Sequence, residues 1–197
     1  MLKNINPKLL LVIGILTMTA THMSYSIDII AWIAYVPFLI YLSLTKGLKS
    51  RLLFVVALIL AWSFVTAKII TPPIPYTMVF LYAIPISLFH LPAYLIWDKF
   101  KQHKGSFVLF PAILTLMEWL QYTFTPFASW GVAAYTQAHS IVIMQTVSLL
   151  GMAGLSFLIY WVNISITEII LNKKLHYFNK LFDLISQEIG VESRKSN

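Results

Sequence analysis

The sequence predicts an all-α protein: a polytopic membrane helix bundle of about six transmembrane helices, followed by a C-terminal amphipathic helix. Three observations predict it. Of 197 residues, 59% are hydrophobic and only 11% charged, against roughly 25% charged in an ordinary soluble domain. So few polar side chains cannot cover a water-facing surface, and most of the surface must face lipid. Six apolar stretches reach or approach the ~20 residues that a helix needs to cross a bilayer. The basic residues gather between alternate pairs of these stretches, as the positive-inside rule requires.

The six stretches are residues 9–25, 27–44, 52–71, 74–97, 106–124 and 141–171. The first two are short and parted by Ser26, so a tight hairpin is an alternative to two full crossings. Lys3, Lys8 and the small residue Ala20 imitate a signal peptide, but the cleavage signature is poor and further spans follow, which favours an uncleaved first helix. The last stretch exceeds a span, and its 141–146 end is expected in the interface. Thirteen of the fourteen Lys and Arg residues fall before the first stretch or after the second, fourth and sixth. Both termini are therefore expected in the cytoplasm, with Lys68 alone at the opposite end, its stem snorkelling to the headgroups. The net charge of +7 would suggest nucleic-acid binding in a soluble chain; here topology and anionic headgroups account for it, and no nucleic-acid partner is expected.

Two connections stand out on the non-cytoplasmic side. Thr71-Pro72-Pro73-Ile74-Pro75 is stiff and extended, because proline lacks an N–H and biases its predecessor away from helix. Residues 121–140 hold no Lys, Arg, Asp or Glu but include Phe124, Phe127, Trp130 and Tyr135. An aromatic belt that only anchors the protein is the plain reading of this loop; a lipid-facing gate is the functional one. Past residue 171, Leu175, Phe178, Leu181, Phe182, Ile185 and Ile189 recur at helical spacing between charged positions, the pattern of a helix lying on the cytoplasmic leaflet. The chain thus divides into a transmembrane domain over 1–171 and a cytoplasmic amphipathic helix and tail over 172–197.

Ionisable residues inside spans are costly and mark candidate sites. Glu118 is the foremost, with bonding to a neighbouring helix or to headgroup water weighed ahead of catalysis. His90 reads as a packed core residue, having no His or carboxylate at metal-ligand spacing, and Glu168 as an interfacial charge. Ser148, Gly151 and Gly154 form a stripe of small residues suited to close helix packing, flanked by Gln145 and Asn163, which can hydrogen-bond across helices. No nucleophile elbow, phosphate loop or metal cluster is present, and there is no cysteine, so no catalytic residue, metal or cofactor is assigned.

The stretch from 110 to 163 resembles the membrane domain of apolipoprotein N-acyltransferase, the bacterial enzyme that adds the third acyl chain to lipoproteins. The resemblance rests on Pro111-Ala112, Glu118-Trp119-Leu120, Phe127 with Trp130, and Tyr135-Thr136-Gln137. It continues through Gln145, the run from Gly151 to Phe157, and Asn163, with weaker echoes in 31–38 and at Ala61-Trp62. Gln121 stands where the family usually has an arginine. The resemblance implies a bundle in the bacterial inner membrane that admits phospholipid and the lipoprotein's diacylglyceryl group laterally, with Phe127, Trp130, Tyr135 and Gln137 facing lipid or lipoprotein. Family members continue into a nitrilase-like domain bearing a Glu-Lys-Cys triad, which these residues do not include. The expected role is therefore a lipid- or lipoprotein-binding platform, an accessory subunit or a truncated remnant, without catalysis of its own. Membrane phospholipid, lipoprotein or a separate nitrilase-like subunit would be its partners. The alternative is a small transporter or channel, suggested by prolines at 72, 73, 75, 85 and 92 but lacking intramembrane charge clusters or an inverted repeat.

Overall fold

The computed structural model describes residues 6–103 and 105–172. Among them every regular element is helical: α1 (Pro7–Thr21), a 3-10 helix (Asp28–Trp32), α2 (Val36–Leu44), α3 (Leu48–Ala67), α4 (Met78–Phe100), α5 (Ser106–Phe124), a second 3-10 helix (Ala133–Gln137) and α6 (Ile141–Asn172). The all-α bundle expected from the sequence is therefore what forms. From residue 173 onward, the expected amphipathic helix and tail lie outside the described residues.

Four helices, α3 to α6, are long and apolar enough to cross a membrane. The first two apolar stretches behave differently. α1 has fifteen residues, started by the Asn6 side chain accepting from the Lys8 amide at 3.0 Å and by Pro7 in the first turn, a donor-free position suited to proline. The 27–44 stretch does not form one long helix. Pro37 sits in the first turn of α2, where its missing N–H is tolerated, and α proper spans only nine residues, about 13 Å of rise. Its approach is made by the first 3-10 helix.

The short α2 is nonetheless the centre of the molecule. Residues 36–42 are all buried, as expected of a helix apolar on every side, and α2 packs against α1, α3, α4 and α6. Around it, α1 pairs with α3, α3 with α4, α4 with α5, and α5 with α6. Rings interlock edge-on in this core: Phe38 of α2 meets Phe54 of α3 at 5.6 Å, and Tyr94 of α4 meets Phe54 at 5.0 Å and Phe110 of α5 at 5.2 Å between centroids.

The two ends of the bundle are chemically unlike. At the end bearing the α2–α3 and α4–α5 turns, Asp98 bridges Arg51 and Lys101; Arg51 also donates to the Thr45 carbonyl and Lys101 to that of Leu42, both at 2.8 Å. Those two cations cap the C-terminal carbonyls of α2. At the other end lie residues 22–35 and 125–140. Lys68 is there, but it does not simply snorkel outward: its ammonium donates to the Thr19 carbonyl at 2.6 Å, capping the last turn of α1. Partial burial lowers its pKa from the ordinary lysine value.

α6 is two helical pieces. Gly151 breaks it with φ +69° and ψ 175°, a conformation open to glycine and strained for other residues. The N-terminal piece stands largely clear of the bundle, with Leu149 86% exposed.

Candidate functional site

The polar side chains of the interior converge under the 125–140 loop. α5 carries Glu118 and Gln121 three residues apart, hence on one face, and both are buried. The Glu118 carboxylate accepts from the Ala133 amide at 2.8 Å and from the Tyr160 hydroxyl of α6. Ser156, one turn earlier on α6, accepts from the Ala134 amide at 3.1 Å. Gln121 donates to the carbonyls of Trp130 at 2.6 Å and Ala128 at 3.3 Å. Two helices thus supply the partners that the irregular loop backbone lacks, the condition for non-helical chain at membrane depth.

On the α4 side, His90 Nδ1 lies 2.8 Å from the Ile86 carbonyl, which can only accept, so Nδ1 carries the proton. Nε2 then points toward Glu118 at 4.0 Å, too far for a hydrogen bond. The Trp62 ring of α3 lies against His90, centroids 4.7 Å apart, and His22 meets the same indole at 5.1 Å. His22 Nε2 is 3.0 Å from the Tyr35 hydroxyl, and Tyr35 packs edge-on to Tyr160 at 5.0 Å. These six side chains therefore close a ring: Glu118, His90, Trp62, His22, Tyr35 and Tyr160. Among the described residues no group of three metal-ligating side chains forms.

The loop closes over Trp62 through Gly131. Its φ is +83°, and a Cβ there would lie 2.7 Å from the indole. Gly131→Ala combines a left-handed backbone cost with overpacking, and is expected to lower stability by about 2 kcal/mol. Thermal unfolding in detergent checks this; an unchanged midpoint would show that the loop is not seated on the indole.

The residues singled out from the sequence divide sharply. Asn163 bridges helices: its side chain accepts from the Tyr35 amide at 2.9 Å and donates to the Ala31 carbonyl at 2.9 Å, holding the 3-10 approach to α2. Gln137, expected to face lipid, is instead fully buried. It donates to the Asp28 carbonyl at 2.8 Å and accepts from the Trp32 indole at 3.2 Å, tying the two loops together. Phe127 and Trp130 pack on Tyr82 of α4 at 5.9 and 5.0 Å, with Trp130 still 38% exposed. Tyr135 is exposed, its hydroxyl bonded to Ser129.

The small-residue stripe does not pack helix on helix as expected. A Cβ at Gly151 would meet nothing within 4 Å, and one at Gly154 would strike Leu150 of its own helix at 2.4 Å. Both glycines serve the break in α6, and Gln145 is exposed on the free piece. His22 and Tyr160 carry no signal in the sequence, and Tyr35 and Trp62 enter only through the weaker echoes of the resemblance: the four come from separate elements, and no spacing links them.

No curated protein and no solved structure matches the chain. The family model for the apolipoprotein N-acyltransferase N-terminal domain does, over residues 14–165. The match takes in every residue on which the resemblance rests, and no catalytic domain lies within the chain. Covering about three quarters of the 197 residues and every helix of the bundle at least in part, it establishes that this chain belongs to the apolipoprotein N-acyltransferase N-terminal domain family.

Proposed function

We propose that the protein is a lipid- or lipoprotein-binding platform of the bacterial inner membrane, working in lipoprotein N-acylation without acyl transfer of its own. The observation that carries this reading is the loop end of the bundle. Tyr25 (91% exposed), Ile29, Phe124, Trp130 and Tyr135 are exposed there. They sit on loops tied down from beneath by Glu118, Gln121, Gln137 and Asn163. A held, aromatic and apolar surface suits acyl chains at the headgroup boundary, where aromatic rings settle. The absence of cysteine from these residues leaves no thiolate to carry an acyl thioester. A nitrilase-like subunit docking on the same loops is the partner that would complete the chemistry. Transport through the broken α2 segment is disfavoured, since Asn163 already occupies the backbone groups that a solute would use in a discontinuous helix.

Photocrosslinking to a phospholipid or diacylated-lipopeptide probe tests the platform. Trp130→Ala is expected to cut crosslinking roughly twofold or more while leaving the unfolding midpoint nearly unchanged, because a half-exposed interfacial ring is not a core one. Crosslinking that persists with Phe127, Trp130 and Tyr135 all replaced would reduce the loop to an anchoring belt.

The orientation that goes with this reading places both termini in the cytoplasm and residues 125–140 outside, from the partition of basic residues. Reporter fusions after Thr136 and Lys174 should read external and cytoplasmic respectively. An external reading at Lys174 would overturn it.

A further inference from the structure

The inner face of α4 carries Ser87, His90, Tyr94 and Trp97, spaced three, four and three residues apart and all buried. That spacing sets them in one line along the helix. Ser87 is satisfied by the Ala83 carbonyl at 2.6 Å. The other three each hold a polar atom without a protein partner: His90 Nε2, the Tyr94 hydroxyl and Trp97 Nε1. Trp62 Nε1, on the indole packed against His90, is a fourth. From His90 to Trp97 the line rises about 10 Å, starting beside Glu118 and running into the aromatic centre of Phe38, Phe54 and Phe110.

Buried polar groups in native proteins are almost always hydrogen-bonded, to protein or to ordered water. One isolated orphan is an exception of local packing; four on one line and its flanking indole form a pattern. Their chemistry is also complementary to a single small ligand. His90 Nε2 and the Glu118 carboxylate accept, the two indoles donate, and the Tyr94 hydroxyl does both. A molecule that donates two protons and accepts two satisfies all of them in turn. We propose that the inner face of α4 is a hydrated track, a row of ordered waters bound by His90, Tyr94, Trp97 and Trp62 and beginning at Glu118. The track is independent of whether the loop surface above it binds lipid.

Radiolytic hydroxyl-radical footprinting of the full chain in lipid nanodiscs tests it, because radicals form from internal water wherever that water is bound. Met18 is the control: it is fully buried, and its thioether reacts at least as readily as an indole or phenol. Trp62, Tyr94 and Trp97 are expected to be modified about tenfold faster than Met18, since bound waters sit only at the polar groups. Rates no faster than that of Met18 would overturn the proposal. Tyr94→Phe provides a second readout with opposite signs. Deleting a water-bound hydroxyl lowers the melting temperature, whereas deleting a dry, unpaired one raises it. A rise in melting temperature would therefore also overturn the track.

Discussion

Glu118→Ala is expected to destabilise the protein by about 2–6 kcal/mol, because it removes the acceptor shared by two buried donors. The carboxylate is the shared acceptor for the Ala133 amide and the Tyr160 hydroxyl. Both donors are buried, and each unsatisfied buried group costs about 1–3 kcal/mol. The loss should concentrate in the 125–140 loop, whose backbone the carboxylate holds, so limited proteolysis there should accelerate along with a lower unfolding midpoint. Glu118→Gln separates hydrogen bonding from charge. Its carbonyl, in the place of the shared carboxylate oxygen, keeps both donors satisfied. The glutamine variant should therefore stay within about 1 kcal/mol of the parent. Equal damage from alanine and glutamine would mean that the negative charge itself is required; no damage from either would remove Glu118 from the architecture of the loop end.

Asn163→Leu is expected to cost about 3 kcal/mol, although the branched shape is kept, because the Tyr35 amide and the Ala31 carbonyl lose their partner inside an apolar core. The neighbouring Ile164→Val, which removes only a methylene from a buried side chain, should cost about 1 kcal/mol. Hydrogen exchange gives the effect an address. The Tyr35 amide should exchange more than tenfold faster in the leucine variant, a factor that 1.4 kcal/mol already supplies, while amides in the middle of α3 keep their protection. If Tyr35 exchanges at its parental rate, the 3-10 approach to α2 is held by something other than Asn163.

Much of the architecture was present in local pattern. Apolar length marks α3, α4, α5 and α6 as crossing helices without reference to any partner, since the bilayer rewards an apolar run wherever it occurs. The cost of burying a carboxylate likewise singled out Glu118, and the capacity of an amide to hydrogen-bond across helices singled out Asn163 together with Gln145. The order of Glu118-Trp119-Leu120, Trp130, Tyr135-Thr136-Gln137 and Asn163 was enough to place the chain in its family.

What tertiary structure alone decided is where irregular backbone finds its bonds. The 27–44 stretch is apolar enough for one long helix, yet it divides into a 3-10 turn and a short central α2, because Asn163 and Gln137, more than a hundred residues later, meet its carbonyl and amide groups. Gln137 is buried for the same reason, although Tyr135 and Ala138 close by are exposed. Gly151 and Gly154 looked like a packing stripe because small residues serve both close contact and chain breaks; only φ at Gly151 tells the two apart. His22, Tyr35, Trp62 and Tyr160 are each ordinary residues of apolar stretches, and they close a ring with His90 and Glu118 only because five separate elements fold around α2. Sequence by itself determined which four helices are long and apolar enough to cross a membrane and to which family the chain belongs. The three-dimensional arrangement determined which polar groups meet inside it, because hydrogen bonds between distant elements leave no periodic trace along the chain.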